Sequence, residues 1–103
     1  MRRAFSRATL ASLREMPSEE VLSLLAVYVK ADPTYVPVTD PRSRRWHVTT
    51  ASGDFEILTT GPKWWDTRAR KGGGGAIDLT VHLLQMPFVD AVKLLTERGR
   101  PRG

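Results

Sequence analysis

Cysteine is absent from all 103 residues, and histidine occurs only twice, as His47 and His82. The first absence excludes disulfides, thiol nucleophiles, iron–sulfur clusters and zinc sites built on thiolates. The second leaves too few imidazoles for a metal centre unless carboxylates complete the set. Long apolar runs are missing too, and nothing approaches the ~20 residues that cross a bilayer. The basic start, Met1-Arg2-Arg3-Ala4-Phe5-Ser6-Arg7, is not followed by the apolar stretch of a secretory signal. We read it as a frayed basic arm rather than an amphipathic targeting peptide, on a cytoplasmic protein. Without a covalent or metal staple, the fold must hold by packing alone.

What is present suits that demand. Hydrophobic residues make up 41% of the chain and charged ones 26%, as in an ordinary globular protein. The length fits one small domain with one modest core. Lys and Arg number 16 against 11 Asp and Glu, a net charge of +5. That excess favours an anionic partner and equally serves solubility.

Along the chain, Ser18 is placed to cap a helix whose first turn holds Glu19 and Glu20. Val21, Leu22, Leu24, Leu25, Val27 and Tyr28 extend its apolar stripe until Asp32-Pro33 stops it. A weaker helix over residues 9–16 precedes it. Residues 34–38 read as an irregular or edge strand interrupted by Pro37. Residues 45–50 and 55–60 alternate around Ser52-Gly53-Asp54, the best hairpin signal in the chain. Lys63-Trp64-Trp65-Asp66 reads as one more short strand. After the glycines Gly72, Gly73, Gly74 and Gly75, a well-buried helix starts near Ala76 and stops at Met86-Pro87. A final amphipathic helix carries Phe88 to Leu95. The pattern predicts an α+β fold: an antiparallel sheet of three to four strands, one N-terminal helix and two C-terminal helices. Residues 1–16 are assigned to the arm, 17–97 to a single module and 98–103 to a disordered basic tail.

Two features point to anion binding. Four glycines ahead of a helix suit either a sharp turn that packs closely or backbone N–H contact with phosphate. Lys71 precedes the glycines, so the run is not a Walker loop. The second feature is cationic charge mixed with tryptophan: Arg42, Arg44, Arg45 and Trp46 in one cluster, Lys63, Trp64, Trp65, Arg68, Arg70 and Lys71 in another. Cations neutralise phosphates, and an indole face stacks on an unpaired base. On a strand Trp64 and Trp65 point to opposite faces, so at most one joins the core from the same side. The competing reading makes every tryptophan core and every cation solvated surface. Asp66, Asp78 and Asp90 are the candidate carboxylates. The helix dipole accounts for Asp78 and Asp90 in first turns, and His82 reads as a core or partly buried histidine. No catalytic order or metal-ligand spacing connects them.

Trp65-Asp66, then Lys71-Gly72-Gly73-Gly74-Gly75-Ala76-Ile77-Asp78-Leu79, then Met86-Pro87-Phe88-Val89-Asp90-Ala91-Val92-Lys93-Leu94-Leu95, resemble the C-terminal half of the CHC-type zinc-binding domain of bacterial DNA primases. They are more similar still to primase-like modules of plasmid and mobile-element replication or mobilisation proteins. The resemblance covers about residues 17–97 and is specific from Lys63 onward. It departs at the metal. The family's ligand positions fall near residues 36–40 and 67–70, where this chain has no thiols, so zinc is excluded there and Trp46, Trp64 and Trp65 are the expected packing substitutes.

The resemblance implies a metal-free, cofactor-free and non-catalytic module that binds DNA, single-stranded in preference, in replication, priming or transfer of a mobile element. Arg42, Arg44, Arg45, Lys63, Arg68, Arg70 and Lys71 are expected on phosphates and Trp46 or Trp64 on bases. The alternative is an adaptor that docks on a primase, helicase or relaxase without touching DNA, marked by a large exposed apolar patch on the helices near residues 83–95.

Overall fold

The computed structural model describes residues 6–98; residues 1–5 of the expected arm (1–16) and 99–103 of the expected tail (98–103) lie outside them. The chain is α+β. Helices α1 (Arg7–Glu15) and α2 (Ser18–Leu25) precede strands β1 (Tyr28–Ala31), β2 (Arg44–Thr50), β3 (Gly53–Thr60), β4 (Lys63–Asp66) and β5 (Lys71–Gly73). Helices α3 (Ala76–Leu84) and α4 (Phe88–Arg98) close it. The strands make one antiparallel sheet in chain order.

The sheet has five strands where three or four were expected, and the differences have local causes. Helix α2 ends early because Ala26 is already extended, at φ −77° and ψ 144°. The run Val27, Tyr28, Val29 is β-branched and aromatic, which suits a pleat better than a helix. It becomes β1, with Val29 opposite Val48. The strand expected at 34–38 does not form. Asp32 instead accepts hydrogen bonds from the Thr34 N–H at 2.9 Å and hydroxyl at 2.6 Å, turning the chain back before Pro37. The start of the glycine run, read as part of a turn, is the edge strand β5. At the N-terminus, Ser6 caps α1 by accepting from the Thr9 N–H at 3.0 Å. Leu13 of that helix enters the core, so residues 7–15 belong to the packed unit rather than to an arm. Ser18, expected as a cap, is the first helical residue, with Pro17 at the cap position. The Ser18 hydroxyl donates to the Lys63 carbonyl at 3.3 Å. Arg98, assigned to the tail, ends α4 and donates to the Leu24 carbonyl at 3.0 Å.

Strand register sorts the sheet into two faces. Trp46 and Val48 lie opposite Ile57 and Phe55, and Thr59 and Ile57 opposite Trp64 and Asp66. Alternation puts all of these on one face. There Val48, Ile57, Thr59, Trp64 and Asp66 are buried together with Val21 and Leu22 of α2, Leu79 and Leu83 of α3, and Val92 and Leu95 of α4. Each buried Leu or Ile contributes about 1.5–3 kcal/mol of transfer free energy. The other face carries Arg45, His47, Leu58, Thr60, Lys63 and Trp65, all half-buried or exposed.

Candidate nucleic-acid interface

The two basic clusters differ in what holds their charge. Arg42 donates to Asp40 from Nε at 3.2 Å and from a terminal nitrogen at 3.0 Å. Arg44 faces Glu19 at 3.6 Å. Arg45 lies 2.8 Å from Asp32 and 3.8 Å from Glu56, with its guanidinium 5.2 Å from the Tyr35 ring centre. Hydrogen bonds from Thr34 and Arg45 hold the Asp32 carboxyl well below the usual carboxylate range. Arg42 does the same for Asp40, its pairing favouring the charged form of both partners. The first cluster is therefore largely neutralised from within. Lys63, Arg68, Arg70 and Lys71 are all exposed, and none forms an ion pair among the described residues.

The three tryptophans divide as well. Trp64 is 5% exposed and stacks on His82, ring centres 4.9 Å apart at 29°. It has no face free for a base, which corrects its assignment to base stacking. Trp46 is half-buried on the helix-covered face, where its indole N–H donates to the Thr59 hydroxyl at 3.0 Å. Trp65 is 45% exposed on the open face, opposite Leu58 on one side and Gly72 on the other.

The glycines fit the indoles. A Cβ on Gly72 would lie 2.6 Å from the Trp64 carbonyl and 2.7 Å from the Trp65 ring; one on Gly73 would lie 2.9 Å from Trp64 Nε1. Two of the four positions are thus closed to any larger residue by the tryptophans of the neighbouring strand. Gly75 caps α3, and Gly74 has open space where a side chain would stand.

Between β4 and β5, residues 67–70 form the basic turn, and Asp66 organises it. Its carboxylate accepts from the Arg68 and Ala69 N–H groups, both at 2.9 Å, and from His82 Nε2 at 2.6 Å. Burial pushes this carboxyl up, but hydrogen bonds from Ala69, His82 and Arg68 outweigh it and hold it below its ordinary 3.8. Asp66 is thus an ionised acceptor and His82 Nε2–H the donor. Phe55 meets the His82 ring edge-on at 5.5 Å. The pair ties the turn to α3 through residues 16 apart in sequence, a contact the spacing of charged residues did not reveal. Arg70, at the end of the turn, has φ 58°, a left-handed conformation costly for any residue with a Cβ.

On the open face the β1–β2 loop and the sheet enclose a cleft of about 340 Å³, lined among others by Tyr35, Asp40, Leu58, Thr60, Lys63 and Trp65. An aromatic ring, a cation and a carboxylate meet there. A second cleft of about 290 Å³ lies beside α3, lined by Trp64, Lys71, Gly72, Asp78, Val81 and His82, but among the described residues the helices show no large apolar patch. Leu83, Ala91, Val92 and Leu95 are buried, and only Phe88 and Val89 stand out, 46% and 48% exposed.

No protein-family model matches the chain, and no curated protein or solved structure does. The likeness to primase zinc-binding modules therefore rests on the motif residues alone. Among the described residues, no three His, Asp or Glu side chains come together as a metal site, and no helix is long and apolar enough to cross a membrane.

Proposed function

We propose that this protein is a non-catalytic, cytoplasmic module that binds single-stranded DNA on the open face of its sheet, acting in replication, priming or transfer of a mobile element. The observation that carries the reading is Trp65, a half-exposed indole on a strand that ends in a turn of unpaired cations. Lys71, opposite Asp66, lies on the helix side of the sheet, whereas Lys63 shares the open face of β4 with Trp65, and Arg68 and Arg70 follow it in the turn. A base stacked on Trp65 gains ~1–3 kcal/mol, and its neighbouring phosphates fall to those cations. Arg70 supports the reading: a left-handed position where glycine fits without cost holds an arginine. The primase resemblance supplies the biological setting. An adaptor docking by its helices is less well supported, because Phe88 and Val89 alone make a small patch.

Titration with single-stranded and duplex oligonucleotides at two salt concentrations tests the proposal. The expected result is micromolar or tighter binding to single strands, weaker binding to duplex, and a fall in both with salt. Absence of binding at low salt overturns it.

A further inference from the structure

We infer that the cleft reads the base it holds, and that Asp40 is the reader, favouring a base with an exocyclic amino group. This rests on the single-stranded DNA reading above and adds selectivity to it. At about 340 Å³ the cleft is near the lower end of small-ligand sites, about 300–1,000 Å³, which suits one unstacked base rather than a base pair. Trp65 supplies the stacking surface and Lys63 the nearby cation.

Asp40 gives the cleft its sign. It lines the cavity, and its side chain is 33% exposed. Its Oδ1 accepts from the Arg42 N–H at 2.8 Å and from Arg42 Nε at 3.2 Å. Its Oδ2 accepts one bond, from an Arg42 terminal nitrogen at 3.0 Å. A carboxylate oxygen has room for two such bonds, so Oδ2 keeps a lone pair for an incoming donor. Arg42, by hydrogen bond and charge, and Lys63, by charge, keep this carboxyl ionised, and an ionised carboxylate accepts without ever donating. The amino group of cytosine meets it as a donor. The carbonyl at the same position of uracil or thymine meets it oxygen against oxygen. The hydroxyls of Ser43 and Thr60 also border the cleft but are bound to each other at 2.6 Å.

Deoxycytidine and deoxyuridine homopolymers differ at that ring position without the complication of a methyl group. Their affinities, measured by Trp quenching at neutral pH and fixed salt, should differ by about fivefold or more in favour of deoxycytidine, the low end of a base-specific contact. In Asp40→Asn the ratio should fall to within about twofold or tilt toward deoxyuridine, because the amide oxygen stays on the Arg42 N–H and its NH2 group then meets the base as a donor. That variant keeps an oxygen for the Arg42 N–H, so the turn survives. Equal affinity of the unaltered protein for the two polymers, or preference for deoxyuridine, overturns the base-reading inference and leaves single-strand binding standing. Failure to bind either one at low salt overturns the binding reading itself.

Discussion

At Trp64 and Trp65, adjacent residues of one type have opposite environments, and this makes them a controlled pair. Trp64→Ala empties a buried site between His82 and Gly73 and should cost ~3–5 kcal/mol of stability. Trp65→Ala removes a half-exposed ring; it should change stability by less than about 1 kcal/mol and weaken single-stranded DNA binding by ~1–3 kcal/mol. Urea unfolding and a binding titration on the two variants separate these effects. Loss of stability without loss of affinity in Trp65→Ala would return that ring to a packing role. The glycines allow a similar pairing. Gly73→Ala drives a methyl into Trp64 Nε1 at 2.9 Å and should destabilise by ~1–3 kcal/mol. Gly74→Ala meets nothing within 4 Å and should leave the melting temperature nearly unchanged. If Gly74→Ala instead weakens DNA binding with the fold intact, backbone contact with phosphate is the better account of that glycine.

Among the elements, the cluster at the start of β2 (Arg42, Arg44, Arg45) and the one around the β4–β5 turn (Lys63, Arg68, Arg70, Lys71) hold similar numbers of cations but different free charge. Replacing Arg68, Arg70 and Lys71 by alanine should reduce the slope of log affinity against log salt by ~2, about 0.7 for each phosphate of a single strand that is no longer neutralised. Replacing Arg42 and Arg44 should change it little, because Asp40 and Glu19 already hold them. Equal slope changes in the two variants would mean that the internal ion pairs open on binding. That distinction was invisible in sequence, where both clusters count as positive. The elements themselves were legible where periodicity and turn chemistry agreed: the β2–β3 hairpin, β4, α3 and α4 all stand close to where alternation and apolar spacing put them. β1 was missed because Val27 and Tyr28 continue the 3.6-residue stripe of α2, and only pairing with β2 decides for a strand. β5 was missed because two of its three residues are glycines, which strand propensity disfavours; the tryptophans opposite them determine its place. The Asp66–His82 contact depends on α3 crossing the sheet, and no local rule reports it.

For the molecule as a whole, the absence of thiols becomes a statement about how the domain is closed. Among the described residues, fourteen hydrophobic side chains are buried in one cluster spanning all four helices and strands β2, β3 and β4, which is where a fold without disulfides or thiolate-held zinc must find its stability. A chelator should therefore leave the melting temperature unchanged, and added zinc should not raise it; a rise of several degrees with zinc would reveal a site built from other ligands. Acid should act instead. Asp32, Asp40 and Asp66 all have carboxyls held below their ordinary 3.8 in the folded chain. A group depressed on folding stabilises fully above its unfolded value and loses that contribution as pH falls through its folded value. Stability should thus decline as pH drops below about 4, the range set by the unfolded carboxylates. Asp66 offers the sharpest test because it is the buried member and ties the turn to α3. Asp66→Asn should be less stable than the unaltered protein at neutral pH, and the gap between their urea midpoints should be narrower at about pH 3, below the ordinary carboxylate value of the unfolded chain. A gap of the same size at both pH values would mean that Asp66 acts through shape and neutral hydrogen bonding rather than through its charge.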